Sequence, residues 1–268
     1  MLPEDDLSRG VELMSLHRTE GIVLKNADYS ETSKIVTVLT PDRGKIAGLV
    51  KGAKRPRSRF GSSLEPITHI ELLFYEKQDR SLRNVAQADI IERFGPIKSD
   101  FDRLAYGGYF VELADRFVQE GEESSDTFSF VLESLRLLCE WTGALELLAT
   151  GFGLRFLALA GFAPMLDACA RCGTTALRGE VGFCAEEGGV LCPDCTGPGV
   201  TGLRTYHLRL LRNLSRIPLR RMEKARVKKE VLHETFDLVN AYAAWRGDVR
   251  LRSPAFLKAT VTSEQVMQ

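Results

Sequence analysis

The sequence has little of what enzymes of its size carry. Only four histidines are spread over 268 residues, and none stands at a catalytic spacing; His69 and His207 read as partly buried structural residues. There is no GxxxxGK[ST] cradle, no GxGxxG turn, no GxSxG elbow and no HExxH helix, so the familiar phosphate-binding and nucleophile frameworks are missing. Net charge is missing too. The 36 Lys and Arg balance the 36 Asp and Glu, which excludes a uniformly basic coat while leaving room for segregated charge. Long apolar runs are scarce. The longest, residues 144–164, is broken by Glu146 and Arg155 and reads as buried helix rather than a membrane span. The amino-terminal MLPEDDLSRGVELM is acidic, without the basic region and apolar run of a secretory signal. The expectation is a non-catalytic, cytoplasmic protein with no membrane partner.

What is present falls into segments. Residues 1–16 read as a disordered or optional extension, with Met14 an alternative start, because regular patterning begins only at Arg18. Short strands follow: Gly21 to Leu24, Lys34 to Thr40, Lys45 to Val50, Ile70 to Tyr75 and Leu82 to Ile91. Pro41-Asp42-Arg43-Gly44 supplies turn chemistry, since proline fixes φ and glycine accepts positive φ. In the fourth strand Ile70, Leu72 and Phe74 alternate with Glu71, Leu73 and Tyr75. Five short strands with no long helical pattern predict a small closed barrel over 17–95, of OB or SH3-like type. After Gly95-Pro96 the period changes to helical. Helices are predicted around 101–117, 128–138, 145–159, 204–216 and 226–246, with Asp100 and Asp126 at favourable amino-terminal positions. The fold class is therefore α+β multidomain: a barrel at 17–95, a helical domain at 96–164 and 201–268, and between them a cysteine-bearing module at 165–200.

Charge is sharply partitioned. Residues 43–60 hold seven basic side chains and no acid, residues 204–229 hold ten against one, and residues 100–146 hold eleven acids against three bases. Lys51-Gly52-Ala53-Lys54-Arg55-Pro56-Arg57-Ser58-Arg59 lies between two barrel strands. This guanidinium-rich loop suits phosphate neutralisation, with Phe60 and Phe74 as stacking candidates. The second basic cluster, including Arg209, Arg212 and Arg216, lies over Leu208, Leu211 and Leu214. It fits a phosphate-binding face, a groove for an acidic, apolar peptide, or a face packed against the acidic region.

The most specific motif is Cys169-Ala170-Arg171-Cys172-Gly173 with Cys192-Pro193-Asp194-Cys195, nineteen residues lying between Cys172 and Cys192. Paired CxxC units place four thiolates around one tetrahedral Zn(2+), one ion per chain, with a small hairpin at Gly182-Phe183 and Gly188-Gly189-Val190 between them. Four sulfurs leave no open coordination position, which makes the site structural. Free thiols or disulfides are the alternative. Cys184 is a competing ligand of low priority, and Cys139 reads as core.

Taken together, these residues resemble the bacterial recombination mediator family RecO. The resemblance rests on Glu20-Gly21-Ile22-Val23-Leu24, Ser30-Glu31-Thr32-Ser33, Ile35 to Thr40, Val50-Lys51-Gly52-Ala53-Lys54-Arg55, Ser58-Arg59-Phe60, Leu64-Glu65-Pro66 and the paired CxxC units with Gly188-Gly189. It implies an OB-fold and a mostly helical domain bearing the zinc module. It also implies binding of single- and double-stranded DNA, strand annealing, and RecA loading together with RecR on DNA coated by single-strand binding protein, whose carboxyl-terminal tail is a further partner. A nucleoid-associated place in the cytoplasm follows. On this reading Lys34, Arg43, Lys51, Lys54, Arg55, Arg57 and Arg59 grip DNA, while Arg209, Arg212 and Arg216 dock a partner. An adaptor whose basic faces dock acidic tails, with DNA contact secondary, is the alternative.

Overall fold

In the computed structural model, residues 15–76, 82–198 and 200–258 are described. The barrel is organised by one long strand. β1 (Ser15–Asp28) has 14 residues, enough at about 3.3 Å each to serve two neighbours in turn. Its first half pairs antiparallel with β4 (His69–Glu76), its second with β2 (Lys34–Thr40), and a register shift between Val23 and Lys25 bends it from one to the other. β3 (Gly44–Val50) follows β2 in a hairpin and lies parallel to β5 (Leu82–Glu92), which pairs back onto β4. The barrel closes in the order β1-β2-β3-β5-β4. That Greek-key order settles the OB against SH3-like ambiguity. β1 starts at Ser15, which pairs with Glu76, so the last two residues expected to be extension belong to the barrel; residues 1–14 lie outside the described part.

Inside the barrel, Val23, Val36, Val38, Ile46, Ile70, Leu72, Phe74 and Val85 form one apolar cluster. The opposite phase of the same wall, Ile22, Leu24 and Leu39, belongs to a larger cluster shared with the helices. Barrel and helical domain are thus joined by continuous core.

The helices begin with a single turn, α1 (Gly95–Lys98), then α2 (Phe101–Phe117), α3 (Ser125–Glu140) and α4 (Leu145–Leu159). Asp100 caps α2 by accepting the Arg103 backbone N–H at 2.9 Å. α4 is apolar on nearly every side because it is surrounded: Phe152 stacks on Phe110 at 3.8 Å between ring centres, and Tyr109 meets Phe152 and Phe236 edge-on. After the cysteine module come α5 (Thr205–Arg216), α6 (Leu219–Met222) and α7 (Lys229–Arg246), then a helical turn over 253–258. The helix expected over 226–246 starts only at Lys229. Lys228 is extended, and a short helix occupies 219–222 where none was expected.

The module itself is a three-stranded sheet of β6 (Val181–Cys184), β7 (Gly189–Leu191) and β8 (Thr201–Leu203) in the order β7-β6-β8. It therefore reaches three residues past the expected boundary at 200. Gly189 fixes it to the end of the first helical segment. A Cβ there would lie 2.2 Å from the Met165 carbonyl oxygen, and the flanking hydrogen bonds Met165 N–H to Gly188 and Val190 N–H to Met165 are both 2.9 Å.

Candidate nucleic-acid interface and metal centre

The segment joining β3 to β4 carries the basic track and is held from beneath. Phe60 and Leu64, 4% and 3% exposed, plug into the barrel core. The Lys54 backbone N–H reaches the Thr32 carbonyl at 3.1 Å, and the Asn26 amide donates to the Leu64 carbonyl at 2.7 Å. With the backbone so fixed, Lys51, Lys54, Arg55, Arg57 and Arg59 are all exposed. Among the described residues Lys51, Arg55, Arg57 and Arg59 have no carboxylate partner, and the Arg59 guanidinium lies 5.2 Å from the Phe60 ring centre.

The other expected DNA contacts divide. Lys34 and Lys54 flank Asp28 at 3.2 and 2.8 Å, and hydrogen bonds from Lys54 and then Lys34 hold that carboxyl below its ordinary range. Lys54 in the loop and Lys34 beside it thus have part of their charge already neutralised. Arg43 is elsewhere. It sits in the β2–β3 turn, at the far end of β3, bonded to Glu76 at 2.6 Å and to the His17 ring at 2.9 Å. Arg83 reaches the other Glu76 oxygen at 3.1 Å. Arg43 is a strut of the barrel end and does not extend the track. Phe60 and Phe74 also fail as stacking platforms, because both are core, Phe74 with no exposed surface at all. The exposed aromatics near the loop are Tyr75, 39% exposed, and Tyr29, 59% exposed. Tyr75 lines an open groove of about 540 Å³ with Lys51, Arg59, Leu49, Asn84 and Gln87. The alternation along β4 already put Tyr75 on the outer face.

The second basic cluster is also split. Arg212 donates to the Leu166 carbonyl at 2.7 and 3.0 Å and pairs with Asp167 at 3.2 Å, and Arg216 pairs with the same carboxylate, so both anchor the entry to the cysteine module. Arg209 faces the other way, into a groove of about 580 Å³ between α5 and α7, with Leu210, Met222 and Val231 as floor and Arg204, Arg226 and Lys228 around it. Only Arg220, bonded to Glu140 at 2.9 Å, ties this basic cluster to the acidic 100–146 region among the described ion pairs. His69 and His207 are buried, each with a carboxylate, Glu20 and Glu234, at 2.8 Å.

The four cysteines converge. Their sulfurs all lie within 4.8 Å of one another, and Cys172 Sγ to Cys192 Sγ is 3.7 Å, close to the roughly 3.8 Å edge of a tetrahedron built from about 2.3 Å metal–sulfur bonds. None of the six cysteines is joined in a disulfide. Gly173, at φ +76°, turns the first CxxC back on itself. Burial opposes the Cys169 thiolate, yet the backbone N–H groups of Cys172, Cys192 and Arg171 outweigh it and bring the thiol down to about 6. Cys195 is instead pushed up to about 12, chiefly by its hydrogen bond with Cys192. Amide donors aimed at sulfur suit a thiolate-bound cation, and the site fits a metal ion. Cys184 packs beside the cluster without belonging to it, and Cys139 packs against the helical core as expected.

An OB-type barrel with an exposed cationic loop, fused to a helical domain that carries a four-cysteine cluster able to hold a metal ion, defines a narrow class of protein. Family models agree with that division: the model for the recombination protein O N terminal matches residues 14–94, and that for its C terminal matches residues 98–255. The chain is 34% identical to the DNA repair protein RecO of Symbiobacterium thermophilum over 249 residues, covering 91% of this chain and 97% of that protein. It is 36% identical over 246 residues to the protein of the same name from Nocardioides sp., covering 91% and 99%. The chain belongs to the RecO family of DNA repair proteins.

Proposed function

We propose that the protein is a non-catalytic DNA-binding mediator of recombinational repair. It binds single- and double-stranded DNA, anneals complementary strands, and with RecR helps RecA replace single-strand binding protein. The observation that carries this reading is the loop at 51–59, whose Lys51, Arg55, Arg57 and Arg59 are exposed and unpaired among the described residues on a backbone fixed from beneath. Cations without internal partners are available to phosphates, and contacts to phosphate carry no sequence information. Two backbones held in one positive field repel each other less, which favours annealing. Lys34 and Lys54 contribute from beside Asp28, and Arg43 is withdrawn from the set. The metal is Zn(2+), one per chain, held by Cys169, Cys172, Cys192 and Cys195. Its role is structural, since no coordination position is left for water.

The test is annealing, without ATP, of complementary strands coated with single-strand binding protein, across a salt series. Acceleration that fades as salt rises is expected. Folded, metal-loaded protein that gives no acceleration would shift the reading to an adaptor. A second observation supports that adaptor role as an accompaniment: the groove between α5 and α7 pairs an apolar floor with a rim on which Arg204, Arg209, Arg226 and Lys228 outnumber Glu230 and Glu234. It suits the acidic, apolar tail of single-strand binding protein, with Arg209 as the contact and Arg212 and Arg216 committed to Asp167 instead.

A further inference from the structure

We propose that the groove between β3 and β5 is a base-stacking subsite selective for single strands, with Tyr75 as the platform and Lys51 and Arg59 as phosphate contacts. This rests on the DNA-binding reading above and adds to it a surface that distinguishes unpaired from paired nucleic acid.

Strand register builds the surface. Leu16 of β1 lies opposite Tyr75 of β4, Tyr75 opposite Asn84 of β5, and Asn84 beside Leu49 of β3, so one row crosses four strands. Directly opposed residues present their side chains to the same face. The inward phase of β4 is Ile70, Leu72 and Phe74, which leaves Tyr75 outside, 39% exposed, with Leu16 next to it, 53% exposed. Two apolar side chains, Leu16 and Leu49, and a phenol ring in one row on the outer face of the barrel make a wall for a planar ligand. Groups that bind charge stand at its edge. Lys51 directly follows β3, and the Arg59 guanidinium is steadied over the Phe60 ring at 5.2 Å. The groove, about 540 Å³, is within the size range of sites for small organic ligands and admits a nucleotide.

Selectivity follows from geometry. In a duplex both faces of each base are covered by neighbouring bases, so a protein ring has none to take. An unpaired base offers its face to any ring, whatever its identity. The loop grips phosphates of either form. Tyr75 adds a contact that only the single strand can make, and a mediator acting where single strands meet needs that discrimination.

The experiment titrates metal-loaded full-length protein with a fluorescent oligo-dT, the same backbone without bases, and a duplex of equal length, each across a salt series. Tyr75→Ala is expected to weaken oligo-dT binding roughly tenfold or more while leaving the baseless strand and the duplex unchanged. Its dependence of log K on log salt should keep the wild-type slope, because no phosphate contact is lost. Tyr75→Phe should bind as wild type. Lys51→Ala, in contrast, should lower the single-strand slope by about 0.7. Undiminished oligo-dT binding by Tyr75→Ala overturns the subsite. So does an equal loss on all three probes, which would assign Tyr75 a role in barrel folding. Wild-type protein that binds none of the probes would remove the DNA reading itself, and the subsite with it.

Discussion

Glu76 shows how much one side chain can close. It lies at the end of β4 and takes Arg43 from the β2–β3 turn on one oxygen and Arg83 from β5 on the other. Partial burial pushes its carboxyl up, but the two guanidiniums more than offset that and hold it below the usual 4.5. A depressed carboxylate contributes stability that is present above its unfolded pKa and disappears as pH falls through its folded value. Glu76→Gln should therefore lower stability near neutral pH and flatten the loss below about pH 4.5, as read from denaturant midpoints across an acid series. A variant whose acid profile matches wild type would show that the pair is screened to nothing. At this scale the sequence was legible in parity more than in identity. Alternation along β4 told Phe74 from Tyr75, and the buried member was the one first considered for stacking. Phe60 misled for another reason. It stands in a basic loop, and nothing local says that a 3-10 turn at Gly61–Leu64 carries it into the core.

The elements differ in how openly the sequence declares them. Paired CxxC units at that spacing bring four sulfurs to one point, so the cysteine cluster and the β6–β7 hairpin were readable in advance. The third strand, Thr201–Leu203, is too short for a pattern and forms only because β6 offers an edge. For the same reason the metal should stabilise more than the four cysteines. Binding energy of the order of 10 kcal/mol stabilises only what is folded around the ion. Cys192→Ser, or a strong chelator, should open residues 165–203 to protease while the barrel keeps its resistance. Metal analysis should read about one ion in wild type and none in the variant. Cys184→Ser should retain the ion, since Cys184 lies outside the four-sulfur cluster. Protease protection that survives metal loss would mean that Phe183 against Tyr242, with the core around it, suffices to hold the module. The basic helix α5 illustrates the opposite case. Spacing placed Arg209, Arg212 and Arg216 together, but only the structure reveals that Asp167 claims the last two.

For the molecule as a whole, a net charge of zero conceals an internal arrangement. The acidic stretch 100–146 meets the barrel more than it meets the second basic cluster. Asp115, 9% exposed on α2, takes Lys25 of β1 at 2.7 Å and Lys45 of β3 at 3.8 Å, and Arg136 of α3 bonds Glu92 of β5 at 2.9 Å. Internal neutralisation at this seam leaves Lys51, Arg55, Arg57 and Arg59 without a carboxylate partner among the described residues, which is why bulk composition said nothing about partners. The seam is also where removal of a charge should cost most. Asp115→Ala strands two ammonium groups beside a shared apolar core and should cost about 1–3 kcal/mol in chemical denaturation. Lys25 can recover water, because its side chain is 57% exposed, so the Asp115–Lys25 coupling in a double-mutant cycle should be only about 0.5–1 kcal/mol. Arg18 and Glu71 form an open pair on the outside of the barrel, with side chains 69% and 37% exposed, and their coupling should be near zero in the same assay. Equal coupling at both pairs would mean that the seam is as wet as the surface. The two domains would then be held together by Ile22, Leu24 and Leu39 against the helices, with the charge pattern serving only to clear the loop for its ligand.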